Sequence, residues 1–176
     1  DHQYEVSLND EQSESDEEQP QVEFKCLCMD SQSIVAGCNN GNLVVLALSD
    51  EYEASILEAH SKALTAVTLD GSYLYTSSQD GTKIWDRNTE STIKQFADSC
   101  HLIVPTENLV FFATQGVVKI VSKKNFELVH DWKVCESYLS GMDISSRFLV
   151  TSTIEGLLQL WELNQISEDP KLAEPY

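Results

Sequence analysis

A chain of 176 residues is long enough to bury a sizeable core within one domain. Its 29 acidic residues against 11 basic ones leave a net charge of −18, a balance that repels nucleic-acid phosphate and anionic membrane and argues against direct contact with either. No apolar run reaches the ~18 residues of a membrane helix, and an odd set of five cysteines with no N-x-S/T acceptor points to reduced thiols in an intracellular protein, cytoplasmic or nuclear.

Residues 1–21 read as an acidic segment without fixed structure. Tyr4-Glu5-Val6-Ser7-Leu8 alternates apolar and polar, the pattern of a half-buried strand; a frayed end is the alternative. Asn9 to Glu18 holds no apolar residue, so nothing there offsets the entropy of ordering. Ser13 and Ser15 each have an acid three residues on (Asp16, Glu18), the pattern of an acidophilic kinase site; a solvated acidic loop is the plainer reading. The chain opens on Asp1 rather than Met, so we expect a piece of a longer polypeptide or a processed chain.

From residue 22 onward glycines punctuate apolar strands. Gly41, Gly81, Gly116 and Gly156 lie 40, 35 and 40 residues apart, each after a polar turn residue (Asn40, Asp80, Gln115, Glu155). A strand follows each: Leu43-Val44-Val45-Leu46, Ile84-Trp85, Val117-Val118-Lys119-Ile120, Leu157-Leu158-Gln159-Leu160-Trp161. Glycine supplies the positive φ that tight hairpins need, and β-branched and aromatic residues fill the strands. The spacing predicts an all-β chain of repeated units over 22–60, 61–99, 100–137 and 138–163, followed by a polar tail, 164–176. The last unit lacks residues for a fourth strand.

The second unit is the most informative. It reads His60, Leu64 to Leu69, Asp70-Gly71, Tyr73 to Ser78, Gln79-Asp80-Gly81, then Lys83-Ile84-Trp85-Asp86. This order of strands and Asp-Gly turns, closed by Trp-Asp, resembles a WD repeat, the four-stranded antiparallel blade of a β-propeller. The resemblance covers roughly residues 22–163, most of the chain. It implies a buried polar set of His60, Ser78, Asp80 and Trp85. The other units depart from the pattern: Asn40 and no Trp in the first, Gln115 and Val121-Ser122 in the third, Glu155 and Trp161-Glu162 in the fourth. Four blades are fewer than the family's usual seven, so the resemblance implies part of a larger propeller of about seven blades. The remaining blades would come from the parent chain or from a second copy. Tyr4–Leu8 would be the outer strand of a preceding blade or would supply the strand the fourth blade lacks.

Few residues suggest chemistry. Cys26-Leu27-Cys28 puts two thiols on one face of a strand, but no second pair exists to complete a metal site, so buried small apolar residues are the better reading. His2, His60, His101 and His130 form no i,i+4 pair, and no nucleophile elbow, phosphate loop or dinucleotide fingerprint is present. Trp85, Trp132, Trp161, Phe111 and Phe112 lie in strands with few flanking cations, as core residues would.

The expectation is therefore a non-enzymatic platform for protein–protein contacts, with no cofactor. By resemblance, partners dock at the end carrying the turns between second and third strands and the crossovers between blades, positions that include Asn39, Lys62, Gln79, Tyr138 and Ile154. Two alternatives stand: a substrate-recruiting or regulatory subunit of a ubiquitin ligase or kinase assembly, and a scaffold in an RNA-associated complex that makes no direct nucleic-acid contact.

Overall fold

Alternation of apolar and polar residues between glycine-bearing turns leaves only strands and short connections in this chain. The structure is a computed structural model that describes residues 21–49, 53–145 and 147–163. Tyr4–Leu8, the acidic run with Ser13 and Ser15, and the tail 164–176 lie outside the described residues.

Among the described residues, fifteen strands form four antiparallel sheets in strict chain order. The first holds β1 (Phe24–Met29), β2 (Ser33–Cys38), β3 (Asn42–Ala47) and β4 (Ala54–Glu58). The second holds β5 (Leu64–Asp70), β6 (Tyr73–Ser78), β7 (Gly81–Asp86) and β8 (Ser91–Phe96). The third holds β9 (Leu102–Pro105), β10 (Leu109–Thr114), β11 (Val117–Ser122) and β12 (Leu128–Lys133). The fourth has three described strands, β13 (Leu139–Ile144), β14 (Phe148–Thr153) and β15 (Leu158–Glu162). We call these sheets blades 1 to 4.

Period-two alternation gives every blade two apolar faces, and each junction between blades is an apolar cluster. Val35 and Leu43 of blade 1 pack with Val67, Leu74 and Trp85 of blade 2. Tyr75 and Ile84 of blade 2 pack with Ile103, Val110, Phe112 and Val121 of blade 3. Phe111 and Ile120 of blade 3 pack with Leu139, Leu149 and Trp161 of blade 4. The middle junction is the aromatic one: Tyr73 meets Phe126 edge-on at 5.1 Å, and Phe96 lies 5.8 Å from Phe112. Inner strands follow one another, β1 on β5, β5 on β9 and β9 on β13, and among the described residues no comparable packing joins β13 back to β1. The described residues thus form a stack of four blades in chain order.

The turn glycines differ from the sequence expectation at one position. Gly41, Gly81 and Gly156 have φ of 93°, 126° and 85°, but in blade 3 the left-handed residue is Gln115, at 41°. Thr114 pairs with Val117, so Gln115 and Gly116 are the two turn residues there, one place earlier than in blade 2, where Ser78 pairs with Gly81. What Gly41 and Gly116 share is close approach. A Cβ on Gly41 would sit 2.0 Å from the His60 carbonyl oxygen, and one on Gly116 would sit 2.1 Å from that of Cys135. Each turn is pressed against the crossover that leaves its own blade, where only glycine fits.

Candidate functional site

The antiparallel order puts the β2–β3, β6–β7, β10–β11 and β14–β15 turns at one end of the stack, together with the crossovers to the next blade. His60 and Ser61 sit in such a crossover and Asp80 in the β6–β7 turn. Their side chains meet there in a chain of polar contacts that runs into the core.

His60 Nδ1 donates to Asp80 Oδ1 at 2.5 Å, and Nε2 accepts from Thr76 Oγ1 at 2.8 Å. The same Thr76 oxygen accepts from Trp85 Nε1 at 2.8 Å. The second Asp80 oxygen takes the Ser61 amide at 2.7 Å and the Ser61 hydroxyl at 2.9 Å. Every donor and acceptor in this line has one partner only when the imidazole is neutral: Trp85 N–H to Thr76, Thr76 O–H to His60, His60 N–H to the carboxylate. A second proton on His60 would leave the Thr76 hydroxyl hydrogen without an acceptor. Burial lowers the His60 pKa below its ordinary value and prevails over the attraction of Asp80. Burial pushes the Asp80 carboxyl the other way, but the Ser61 amide, His60 and the Ser61 hydroxyl prevail and bring it down to about 2.

This corrects the sequence assignment of Ser78 as the hydroxyl of the set. Ser78 and Thr76 share a face of β6, and the register decides between them. Leu74 pairs with Trp85, which lays the indole beside Thr76, whereas Ser78 pairs with Gly81 at the strand end. The Ser78 hydroxyl instead donates to the Lys62 carbonyl at 3.0 Å. Blade 4 repeats the inner part of the arrangement, with Trp161 Nε1 donating to Thr151 Oγ1 at 3.1 Å. By register, Cys135 stands there where blade 2 has His60, and its thiol bonds the Ser137 carbonyl. Blades 1 and 3 carry Ala36 with Leu46 and Phe112 with Val121 at the Thr and Trp positions. Hydroxyl and indole are thus present together or absent together. A Thr nine or ten residues before each of these tryptophans was the signal available in the sequence.

A second polar cluster escaped the sequence reading. Ser77 and Thr82 face one another at 3.0 Å; Ser77 accepts the Cys100 amide at 2.7 Å and Thr82 donates to the Asp98 carbonyl at 2.8 Å, fastening the crossover into blade 3. At the opposite end, repeated ion pairs tie neighbouring blades. Arg87 of blade 2 reaches Asp30 of blade 1 at 2.6 Å and Ser33 at 2.8 Å, across a cleft of about 690 Å³, and holds the Asp30 carboxyl down at about 2. Lys123 of blade 3 reaches Asp70 of blade 2 at 2.5 Å. By register the third such pair, Thr106 with Leu163, carries no charge.

The five docking candidates all lie at the turn-and-crossover end. Asn39 is committed to the backbone, accepting the Glu23 amide at 3.1 Å and donating to the Gln21 carbonyl at 3.0 Å. Lys62 and Gln79 are exposed beside the His60 set. Tyr138 and Ile154 adjoin one another, the Ile154 amide bonding the Tyr138 carbonyl at 3.1 Å, and are 51% and 66% exposed. All five cysteines are free thiols; Cys26 and Cys28 face blade 2, and burial pushes the Cys28 thiol up to about 11, which makes it a poor nucleophile or metal ligand. Among the described residues no cluster of His, Cys, Asp or Glu could hold a metal, and no helix is long and apolar enough to cross a membrane.

No protein-family model matches the chain. Among curated proteins it is similar to myosin heavy chain kinase C of Dictyostelium discoideum, 26% identical over 115 residues; the match takes in 61% of this chain and 15% of that protein's length. Among solved structures it is similar to the computationally designed protein Ika4, with a TM-score of 0.71 and 17% identity over 82% of this chain and 94% of that one. It also resembles a propeller chain of a mitotic checkpoint complex, with a TM-score of 0.74 and 13% identity over 87% of this chain and 53% of that one. Four sheets in chain order, packed face to face like these structures, make this an all-β chain of consecutive β-propeller blades.

Proposed function

We propose that the chain is a WD-repeat-type interaction scaffold, non-enzymatic and intracellular, that presents the turn-and-crossover end of its blades to other proteins. The observation that carries this reading is the adjoining pair Tyr138 and Ile154, two large side chains left exposed on a backbone fixed by their own hydrogen bond. Aromatic and aliphatic anchors on a rigid frame are what protein interfaces use as their energetic centres. Lys62 and Gln79 extend the surface with polar groups, while Asn39 shapes it by holding the chain at its edge. The acidic balance favours protein surfaces with basic patches over phosphate backbones. The remaining blades of a ring, from a longer chain or another copy, are partners of a second kind.

Placing a photo-crosslinking residue at Ile154, and separately at Leu128 on an outer strand, tests the reading in cells. Adducts of defined mass from position 154 and none from position 128 are expected. Loss of the adducts on Tyr138→Ala, with unchanged melting, would tie them to this surface; equal labelling from both positions would refute it. The similarity to a kinase favours one second reading, recruitment of substrate within a kinase assembly. Co-purification of kinase activity that survives Tyr138→Ala would favour that reading through another surface.

A further inference from the structure

Blades 1 and 2 leave open a space that blades 2 and 3 fill. The cleft of about 690 Å³ at the end away from the docking surface is walled by Val35, Val45 and Leu57 on one side and by Leu69, Leu74 and Trp85 on the other. Register gives the counterparts of these walls one junction along. Val35 pairs with Val45 as Tyr75 pairs with Ile84, so Tyr75 stands where Val35 does, and Tyr73 where Ser33 does. Glu90 and Phe126 are counterparts in the β7–β8 and β11–β12 turns, both left-handed, with φ of 52° and 55°. Between blades 2 and 3, Tyr75 is fully buried and Tyr73 meets Phe126 edge-on at 5.1 Å, so rings close the junction. Between blades 1 and 2, Trp85 is larger than its counterpart Val121 and takes up the inner part of the difference. The outer layer has only Ser33 and Glu90, and a space of ligand size remains.

We propose that this cleft is a second binding site, one that takes an aromatic side chain from a segment of a partner protein with a lysine or arginine close by in sequence. The site goes beyond the docking end and does not depend on it. Three observations select this occupant. First, the chain itself shows what fits: rings occupy the matching space one junction along. Second, the mouth carries unpaired negative charge. Arg87 is engaged by Asp30, Ser33 and the Gly71 carbonyl, and Asp30 is satisfied by Arg87 and the Gln32 and Ser33 amides. Asp86 uses one oxygen to hold the Asn88 and Thr89 amides. Its other oxygen and the exposed Glu90 carboxylate have no partner among the described residues. A cation beside the ring would meet both. Third, the chain's own remaining segments are poor candidates. Residues 1–20, 50–52 and 164–176 are each net acidic and would bring like charge to the mouth. The cleft opens to solvent along a rim that includes Ser31, Gln32, Ser72 and Asn88, whose exposed polar side chains can pair with the backbone of a segment running across it.

A library of random peptides displayed on phage, selected on the immobilised 176-residue chain, supplies the probe. Enriched sequences should pair Phe, Tyr or Trp with a nearby Lys or Arg. The strongest, synthesised with a fluorescent label, is then titrated by anisotropy. Glu90→Lys reverses an exposed charge and should weaken binding ~10-fold, a loss that shrinks in high salt. Ser33→Tyr combined with Glu90→Phe copies the ring pair of the next junction into the cleft and should weaken binding at least ~30-fold. Circular dichroism checks the fold of both, and Glu90→Lys, at a solvent-exposed position, carries the test if the double variant does not fold. Tyr138→Ala should leave the affinity unchanged. Enrichment of acidic or purely aliphatic sequences, or no enrichment, would overturn the proposal. So would a peptide held as tightly by the folded variants as by wild type. Binding lost in Tyr138→Ala and kept in Glu90→Lys would overturn it by putting the peptide at the docking end. Crosslinking at Ile154 tests that end by itself, so the two readings fail separately.

Discussion

Thr76→Val removes one oxygen atom and almost no volume, and it tests the polar chain of blade 2 at its hub. Thr76 is fully buried, accepts from Trp85 and donates to His60. Valine leaves two groups unpaired in a dry site, the indole N–H and the imidazole Nε2. Each stranded group costs about 1–3 kcal/mol, so with some relaxation the variant should lose about 2–5 kcal/mol. Ser78→Ala is the control. It removes one hydroxyl bonded to one carbonyl, a loss of about 0.5–1.5 kcal/mol. Urea unfolding followed by circular dichroism reads both, provided the slope with denaturant is unchanged. Trp85→Phe combined with Thr76→Val should then cost clearly less than the sum of the two, because the missing donor no longer needs the missing acceptor. If Ser78→Ala costs as much as Thr76→Val, the hub is misplaced and the sequence assignment of Ser78 stands.

Four further outcomes follow from the geometry. His60 is neutral in the fold with its pKa held below 6.5, so the unfolded chain takes up the proton first; stability should decline as pH falls from 7 through 6, by at most about 1.4 kcal/mol per pH unit from this residue, and His60→Gln should flatten that decline. Asp80, depressed from 3.8 to about 2, adds stability that is full above pH 4 and lost on acidification toward 2; Asp80→Ala should remove that limb and cost about 1–3 kcal/mol at neutral pH, whereas Glu155→Ala, with Cys135 rather than a histidine nearby, should be near neutral. Gly41→Ala should cost about 3 kcal/mol or more in chemical unfolding, because its Cβ lands on the His60 carbonyl, while Gly71→Ala, with φ of 57° and open space around it, should cost about 1 kcal/mol; equal values would refute the close-approach argument. Arg87→Met should lose about 1–2 kcal/mol by uncoupling blade 2 from Asp30, a loss that shrinks in Asp30→Asn, and additive losses would show that the pair does not act together.

Blade 2 was legible because its turns carry Asp-Gly and its third strand ends in Trp-Asp, signals that fix both strand ends and face. The choice of Thr76 over Ser78 was not, since both lie on one face of β6 and only the pairing of Leu74 with Trp85 tells which meets the indole. The glycine ruler misled at blade 3 for a related reason: Gly116 sits one place earlier in its hairpin than Gly81, and Gln115 takes the left-handed conformation that spacing assigned to glycine. Asn39 could be placed at the docking end from sequence, but its engagement with Gln21 and Glu23 depends on chain far from it in sequence. The exposure of Leu27 and Leu158 was invisible for the same reason. Alternation marks a residue as apolar-facing and says nothing of whether a neighbour is there.

His60 ties two blades with one residue. Its amide bonds the Gly41 carbonyl at 3.0 Å, its own carbonyl fills the space a Gly41 side chain would need, and its ring leads through Thr76 to the indole of Trp85. A ligand that shifts the Asn39–Gly41 turn must move the His60 backbone and change the hydrogen bond felt by a buried fluorophore three residues along that line. The fold thus carries an intrinsic optical reporter, and emission from Trp85, read in a chain whose other two tryptophans are phenylalanine, would register occupancy of a surface that the indole never touches.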